Sequence, residues 1–394
     1  MLPFLFAVTV VHTGFQGAQL ERVERVTDTH FRCHLKGDID QDGRNRQANW
    51  YYFRVDGAKG RAIVVDLVNL PGEYNYRANR GAVTKDTIPL WSEDNVRWTH
   101  FADTEYDAAE PRLRLRITPN SKTLWIAHVP PYTNQHLKRL IEEHSRSPYL
   151  RQESVGKTVD GREIPLLTIH DWESSANKKV VWLMFRQHGW ETGSSWAAEG
   201  AIRFLLSNHP AAGQVRAATI FKIFPLCDPD GVARGNVRFN KFGFDLNRNW
   251  DVVDPLKMPE IHAQRKAILD WVERGQPLDL FLSLHNTETS EYLEGPPDPD
   301  GRFRALGERF FRLLKEHSSF APTRDLFWSD ETTTSGKAGR MNVIQGLYRD
   351  ARIPAFLMEQ RISHNPRLKR LPTIQDRIEF GAALTRVVAQ TAGL

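Results

Sequence analysis

The chain has 394 residues, more than the roughly 250 to 300 at which a single hydrophobic core stops growing, so its length predicts two domains. Hydrophobic residues make up 40% and charged residues 26%, a balance that supports packed cores and excludes a largely disordered chain. The 53 basic against 48 acidic residues leave a net charge of +5, too small an excess over this length to indicate a nucleic-acid-binding protein.

The N-terminus begins with an apolar run, Leu2–Val11, followed by His12–Gln19 before the first charge at Glu21. The run is too short to cross a bilayer, which takes about 20 apolar residues, but it has the length of the apolar part of a signal peptide. It lacks the positive residues that usually precede that part. We therefore expect residues 1–19 to be a signal peptide of a periplasmic or extracellular protein, with a buried strand in a cytoplasmic protein as the alternative. No other segment predicts a membrane span.

Residues 20–130 predict an all-β sandwich domain. Short runs alternate apolar and polar residues and are separated by turn residues such as Pro71-Gly72 and Pro119-Asn120, the pattern of antiparallel strands with one buried face. The predicted strands include Trp50–Val55, Ala62–Val68, Leu113–Ile117 and Thr123–Ala127.

One segment of this domain, Asp38–Gly43, opens like a calcium-binding loop. Its twelfth position is Asn49, where a calcium loop of the EF-hand type needs a bidentate Glu. We therefore interpret the segment as an acidic turn between strands.

The two cysteines, Cys33 and Cys227, are far apart and form no CxxC motif, so they predict buried thiols.

Residues 131–394 predict an α/β domain, which we expect to be a three-layer α/β/α structure with a mixed, largely parallel sheet. Pro130-Pro131 ends the β pattern, and the later strands are short and almost wholly apolar, as expected where helices cover both faces of a sheet. The predicted strands are Val180–Phe185, Ile220–Phe224, Leu280–Leu284 and Pro354–Met358. The predicted helices are Asn134–His144, Ser195–Ser207, Pro259–Arg274, Gly301–His317 and Pro372–Ala392.

His188 and Glu191 follow the first of these apolar strands directly. An imidazole and a carboxylate three residues apart can bind one cation, and the carboxyl ends of strands in α/β domains are where ligands bind. Because the chain contains 14 histidines, one such HxxE match is expected by chance, and a hydrogen-bonded His at a strand end is the alternative.

His285 follows the strand Leu280–Leu284 and supplies a second imidazole. Two His and one Glu leave a coordination position open for water, which is typical of catalytic rather than structural zinc. The sequence therefore predicts one Zn²⁺ held by His188, Glu191 and His285. The other histidines outside the β domain, such as His209 and His262, lack paired ligands, and we interpret them as surface or capping residues.

Glu359 follows the strand that ends at Met358, at the same edge of the predicted sheet. A partly buried Glu beside a metal-activated water can act as a general base. The alternative is an ion pair between Glu359 and Arg361.

The stretch Pro229–Trp250 is rich in Asn, Arg and Gly and follows a buried strand. A solvated loop is the usual explanation of such a stretch. Arg238 and Arg248 lie ten residues apart in it, and a guanidinium group can bind a carboxylate through two hydrogen bonds or stabilise an oxyanion.

Taken in this order, these residues resemble the zinc metallocarboxypeptidases. The family has HxxE, then an Arg nine residues before Asn-Arg, then a His and a Glu that each follow a strand. These positions correspond to His188 and Glu191, Arg238, Asn247 and Arg248, His285, and Glu359. The resemblance is strongest to the cytosolic carboxypeptidase branch, which carries an N-terminal β-sandwich. The segments that resemble this branch are Asn49–Gly57, Pro130–Thr133 and Pro229–Arg248.

The resemblance implies an exopeptidase acting on the C-terminus of a peptide or protein. Glu359 would serve as the general base, Arg238 would stabilise the oxyanion, and Asn247 with Arg248 would bind the terminal carboxylate of the substrate. The branch is known for removing Glu, so acidic C-termini are candidate substrates. Gly189-Trp190 replaces the usual Pro-Gly between the ligands, and the family's mobile Tyr has no clear counterpart, because Lys337 and Tyr348 are the nearest candidates.

Two alternatives remain open at this point. A zinc amidohydrolase or deacylase would keep the metal ligands and act on a non-peptide amide or ester. A catalytically inactive binding module would keep the fold alone. The sequence does not indicate an oligomeric state.

Overall fold

A computed structural model of the chain describes residues 8–329 and 337–393. The chain forms two compact units. The first contains the described residues up to Pro131 together with Gly231–Gly243, and the second contains Tyr132–Asp230 and the described residues from Phe244 onward. The segment Gly231–Gly243 is therefore an excursion of the chain into the first unit. The predicted domains, 20–130 and 131–394, did not anticipate it.

The first unit is built from two five-stranded sheets and a small third sheet, with elements numbered in chain order. The first sheet has the order β1 (Val10–His12), β6 (Tyr52–Asp56), β14 (Thr123–Ala127), β10 (Leu90–Ser92) and β11 (Thr99–His100). The second has the order β12 (Thr104–Asp107), β13 (Arg112–Ile117), β7 (Ile63–Val68), β3 (His30–His34) and β2 (Arg22–Arg25). The third consists of β4 (Asp38–Ile39), β5 (Arg46–Gln47), β8 (Gly72–Tyr74) and β9 (Arg77–Asn79).

Residues from both five-stranded sheets form one apolar core, which confirms the predicted all-β domain. In β13, Leu113 and Leu115 are buried in that core while the arginines that alternate with them, Arg112, Arg114 and Arg116, are partly exposed, as the period-2 alternation requires. The prediction of two buried thiols is also confirmed, since Cys33 lies in this core and Cys227 is buried in the second unit.

The N-terminal residues that the structure describes belong to this unit. Val10–His12 form β1 and pair antiparallel with β6, and the indole N–H of Trp50 donates to the carbonyl of Gly17 at 2.9 Å. The predicted signal peptide, residues 1–19, is therefore not supported, because its second half is an edge strand and turn of the β domain. Residues 1–7 of that prediction lie outside the described residues.

The second unit has one eight-stranded mixed sheet. Its order is β15 (Leu150–Lys157), β16 (Glu163–Ile169), β18 (Thr219–Phe224), β17 (Lys179–Phe185), β19 (Leu280–Thr287), β22 (Ala355–Arg361), β20 (Tyr292–Gly295) and β21 (Phe327–Trp328). The four central strands β18, β17, β19 and β22 run parallel to one another, whereas β15, β16 and β20 pair antiparallel at the flanks. The mixed sheet is confirmed. The flanking strands were not predicted from the sequence, because β15 is mostly polar, β16 contains Pro165, and β20 and β21 are short.

Helices cover both faces of this sheet. The described helices of the chain are α1 (Asn134–Glu143), α2 (Thr192–Leu206), α3 (Pro210–Ala218), α4 (Pro229–Arg234), α5 (Pro259–Glu273), α6 (Gly301–His317), α7 (Val343–Ala351) and α8 (Ile374–Ala392). Apolar residues of α5 and α7 share a core with Val180, Trp182 and Met184 of β17, while α2 and α8 pack together against that strand. A Cβ atom on Gly381 would lie 1.9 Å from the carbonyl oxygen of Ala197, so the close approach of α8 to α2 requires glycine there. None of the described helices is both long and apolar enough to span a bilayer.

Candidate metal centre and active site

The turn after β17 carries the first two predicted metal ligands. Arg186 adopts a left-handed backbone conformation with a φ of 61°, which bends the chain sharply away from the strand. Its buried guanidinium donates through Nε and Nη2 to the carbonyl of Gly189 at 3.0 and 2.6 Å, and through Nη1 to the hydroxyl of Ser195 at 3.1 Å. Arg186 thus joins the turn between the ligands to the first turns of α2.

The electrostatic environment of Arg186 is unusual for an arginine. Burial lowers the pKa of its guanidinium to about 9, although the nearby carboxylates of Glu191 and Asp228 act in the opposite direction. Arg186 was not among the predicted site residues, because an Arg at the end of an apolar strand gives no local indication of its distant partners.

His188, Glu191 and His285 lie together, as the sequence predicts. Oε1 of Glu191 is 2.6 Å from Nδ1 of His188, and Oε2 is 2.9 Å from Nδ1 of His285. One ligand atom from each residue lies within 4.8 Å of the others, and each of the three side chains is at most 1% exposed. Two imidazoles and a carboxylate that converge in this way fit Zn²⁺, which prefers nitrogen and carboxylate ligands in a tetrahedral arrangement with a position left open.

The charge of Glu191 agrees with this interpretation. Burial by itself raises the pKa of its carboxyl group, but the adjacent His188 and His285 outweigh burial and hold that pKa below its usual range. The carboxyl group is therefore ionised at neutral pH, which is the form that binds a cation.

Further side chains orient the two imidazoles. Nε2 of His188 lies 3.0 Å from Oδ1 of Asp245, an arrangement that directs Nδ1 toward Glu191. Nε2 of His285 lies 3.0 Å from Oε1 of Gln187 and 2.9 Å from the hydroxyl of Ser283. Carboxylate, amide and hydroxyl groups behind metal-binding histidines fix the ring orientation and tautomer. Asp245, Gln187 and Ser283 were not among the predicted site residues. Ser283 had one usable signal, since it is two residues before His285 and so on the same face of β19.

Glu359 lies beside His285 in the sheet. The two residues are partners in the parallel ladder of β19 and β22, and both strands continue two residues beyond them. The prediction that each strand ends just before its functional residue is therefore wrong in detail, because Asn286 and Gln360 keep the ladder paired. Tyr292 of β20 is the antiparallel partner of Glu359 on the other side. Burial raises the pKa of Tyr292, and the charge of Glu359 raises it further.

Asn247 and Arg248 lie in the same unit as the metal ligands. The side-chain oxygen of Asn247 accepts the N–H of Val343, the first residue of α7, at 3.0 Å, and its Nδ2 is 3.4 Å from Nε2 of His285. Arg248 is partly exposed and donates through Nη1 to the carbonyl of Asn247 at 2.7 Å. The positive charge of Arg248 acts on Tyr292 and on the buried Glu294, lowering the pKa of each against the larger effect of burial.

The remaining predicted residues lie elsewhere. Arg238 is in the excursion Gly231–Gly243 of the first unit, where its backbone N–H donates to Asp38. Of the two candidates for the family's Tyr, Tyr348 is nearly buried in α7 and donates its hydroxyl to the carbonyl of Asp298, while position 337 is an exposed Lys.

Solved structures with the same fold are metallocarboxypeptidases. A putative carboxypeptidase from Burkholderia mallei superimposes with a TM-score of 0.83 at 23% sequence identity, covering 100% of this chain and 99% of that one. A metallo-carboxypeptidase from Burkholderia cenocepacia gives a TM-score of 0.82 at 22% identity, covering 97% and 98% of the two chains. The fold of this protein is therefore that of a two-domain metallocarboxypeptidase.

Sequence comparison leads to the family. A sequence model of zinc carboxypeptidases matches residues 133–294, and one of the N-terminal domain of cytosolic carboxypeptidases matches residues 11–129. The chain therefore carries a zinc carboxypeptidase domain together with the N-terminal domain of cytosolic carboxypeptidases.

Two relatives with the same sequence identity cover more than two thirds of this chain. An uncharacterized protein of Zymomonas mobilis is 28% identical over 334 residues, covering 83% of this chain and 81% of the relative. Cytosolic carboxypeptidase 6 of Mus musculus is 28% identical over 287 residues, covering 70% of this chain. That match spans 52% of the mouse protein, so this chain corresponds to about half of its length.

Proposed function

We propose that the protein is a zinc-dependent carboxypeptidase that hydrolyses the C-terminal peptide bond of peptides or proteins. The observation that carries the proposal is the buried cluster of His188, Glu191 and His285, with Glu359 on the adjacent strand, in a chain that carries a zinc carboxypeptidase domain. His188, Glu191 and His285 would hold one zinc ion. When bound, zinc polarises the scissile carbonyl and lowers the pKa of a water to about 7.

The chain's own residues supply the remaining chemistry. Glu359 accepts the proton of the attacking water and returns it to the leaving amine, a role that suits a carboxylate on the strand next to His285. Arg238 stabilises the negative charge that develops on the carbonyl oxygen. Both assignments are supported by the order of these residues in the chain, which is that of the family.

Arg248, with Asn247, binds the terminal carboxylate of the substrate. A guanidinium group matches a carboxylate in shape and charge and can donate two parallel hydrogen bonds to it. The amide of Asn247 also contacts the backbone of Val343 and approaches His285, and its main-chain carbonyl accepts a hydrogen bond from Arg248, so the two residues are held next to each other.

Acidic C-terminal residues are the proposed substrates. Arg324 supports this preference, since its guanidinium lies 3.5 Å from the ring centre of Phe327 and 4.2 Å from that of Tyr292. The charges of Arg324 and Arg248 both act on Tyr292 and on Glu294. Because Arg248 is assigned to the terminal carboxylate, Arg324 is the guanidinium group that would favour an acidic side chain over a basic one.

A panel of peptides that differ only in the last residue tests the proposal. The zinc-loaded protein should release C-terminal Glu faster than Lys or Phe from otherwise identical peptides, and should not cleave their C-terminally amidated forms. Arg248→Ala should raise the KM strongly, because the substrate carboxylate loses its partner. Arg302→Ala, which removes an exposed arginine of α6, is the matched control and should leave the kinetics unchanged.

Other outcomes distinguish the alternatives. Equal cleavage of free and amidated peptides, with Arg248→Ala fully active, would indicate an amidohydrolase or deacylase. Release of Lys or Phe in preference to Glu would leave the carboxypeptidase proposal intact and refute the acidic preference. Protein that binds no zinc and shows no hydrolysis after zinc is added would indicate an inactive binding module.

A further inference from the structure

We propose that Asp38 of the N-terminal domain is a positioning residue that sets the place of Arg238 by holding its backbone. The inference rests on the proposed role of Arg238 as the residue that stabilises the oxyanion. It gives a function to the acidic turn Asp38–Gly43, which the sequence alone predicts only as a connection between strands.

The excursion Gly231–Gly243 is hydrogen-bonded to other residues of the first unit near both of its ends. The N–H of Gly17 donates to the carbonyl of Ala233, and the N–H of Gln41 donates to the carbonyl of Gly243, each at 3.0 Å. Gly243 has a φ of 82°, and a Cβ atom there would lie 2.6 Å from the backbone nitrogen of Gln41. Only glycine permits this conformation and this approach.

Asp38 holds the middle of the same segment. Its Oδ2 accepts the N–H of Val237 at 2.6 Å and the N–H of Arg238 at 3.1 Å. Hydrogen bonds from N–H groups to an ionised carboxylate are shorter and stronger than those to a neutral acceptor. Burial raises the pKa of Asp38 to about 6, against the opposing effect of these N–H groups, so the carboxyl group is charged at neutral pH.

The side chains of the three aspartates of the turn, Asp38, Asp40 and Asp42, have different surroundings. Oδ1 of Asp40 accepts the N–H groups of Arg44 and Asn45 at 2.7 and 3.2 Å, which closes the turn on itself. The side chain of Asp42 is exposed to solvent. Among these three, Asp38 is therefore the residue whose carboxylate reaches the excursion.

A fixed backbone matters here because Arg238 has a long side chain with four rotatable bonds. Two hydrogen bonds to one carboxylate fix the peptide units on both sides of Val237 and hence the direction in which the arginine leaves the chain. A displacement of about 1 Å of a catalytic group can lower a rate about 100-fold. If Asp38 served stability alone, its loss would lower the melting temperature and leave the contribution of Arg238 to kcat unchanged.

A double-mutant cycle on the full-length, zinc-loaded protein separates these roles. The variants are Asp38→Ala, Arg238→Ala and the double variant, with Asp38→Asn retaining an acceptor oxygen and Asp42→Ala as the matched control from the same turn. Asp38→Ala should lower kcat about 10- to 100-fold with little change in KM. The double variant should be no slower than Arg238→Ala, because Asp38 acts through Arg238. Asp38→Asn should retain most of the activity, and Asp42→Ala all of it.

Zinc affinity and melting temperature are measured on every variant. Additive effects of Asp38→Ala and Arg238→Ala on kcat, or a wild-type kcat in folded Asp38→Ala, would overturn the inference. If Asp38→Ala does not fold, the same cycle with Asp38→Asn and Asp38→Ser decides by the same criterion. A wild-type kcat in Arg238→Ala would instead refute the proposed role of Arg238, and the inference would fall with it.

Discussion

The side-chain oxygen of Gln187 lies 3.0 Å from Nε2 of His285, and the amide nitrogen of Gln187 donates to the carbonyl of Leu246 at 2.8 Å. Because the amide nitrogen is committed to a carbonyl, the oxygen must face the imidazole and act as an acceptor. Nε2 of His285 therefore carries the proton, and the lone pair of Nδ1 faces Glu191 and the metal position.

We expect Gln187→Leu to weaken zinc binding, because a leucine of similar size cannot accept the Nε2 proton. The loss of such an orienting group typically costs about 10- to 100-fold in metal affinity. Competition with a chromogenic chelator measures the zinc Kd directly, without using activity. Gln375→Leu on the exposed face of α8 is the control and should keep the wild-type Kd. An unchanged Kd in Gln187→Leu would show that Ser283 alone orients the ring.

Replacing Glu359 by Gln should abolish most activity and retain the metal. The amide keeps the size of the side chain but cannot accept a proton, and loss of a general base typically lowers kcat by about 10²- to 10⁴-fold. Steady-state kinetics and zinc content are measured on the same preparation. Glu308→Gln, at an exposed position of α6, is the control. Wild-type kcat in Glu359→Gln would mean that another group accepts the proton.

Removing zinc should destabilise the second unit. A ligand that binds only the folded state stabilises it by about 4 kcal/mol at a free concentration 1,000 times its Kd. Dialysis against a chelator should therefore lower the melting temperature, and added zinc should restore it. In His285→Ala the zinc-dependent increase should disappear, because one of the three buried ligands is gone. A melting temperature that does not respond to proven removal of zinc would count against a metal site at this cluster.

The parts of the site that the sequence predicts are those carried by local patterns. His188, Glu191 and His285 come after apolar runs of the sequence, so these runs and the spacing were sufficient to predict that the three residues lie together. Gln187 and Tyr292 were missed because their roles depend on partners from other elements, His285 and Glu359, which no local pattern encodes.

In the β domain, too, only the features that local sequence patterns encode could be predicted. Its alternating strands were predictable, since one face of each contacts the core. The excursion Gly231–Gly243 was not, because an irregular stretch rich in Asn, Arg and Gly looks the same whether it is solvated or held by another unit. The role of the acidic turn could not be predicted either, because it depends on the contacts of Asp38 with Val237 and Arg238, which are distant in the sequence.

A buried ion pair in the β domain predicts a pH-dependent stability. Asp66 of β7 is fully buried and accepts hydrogen bonds from Nε and Nη2 of Arg114 at 2.6 and 2.9 Å, and its Oδ2 lies 2.9 Å from Nε2 of His30. Burial raises the pKa of Asp66, but these partners outweigh burial and hold it below its usual value. The contribution of the pair to stability is therefore complete above the pKa of the unfolded state, about 3.9, and is lost as the pH falls through the lower folded-state pKa.

Arg114→Ala should consequently destabilise the β domain by about 3 kcal/mol at pH 7, because it leaves a buried carboxylate without its main partner. The destabilisation should shrink toward pH 3, where the carboxyl group of the variant is protonated and no longer needs a cation. Thermal unfolding at several pH values, followed by a probe in the β domain, measures both effects. Arg97→Ala is the matched control, since its exposed pair with Asp94 should contribute less than about 1 kcal/mol. Equal destabilisation by Arg114→Ala at pH 7 and pH 3 would show that the packing of Arg114, and not its charge, stabilises the sheet.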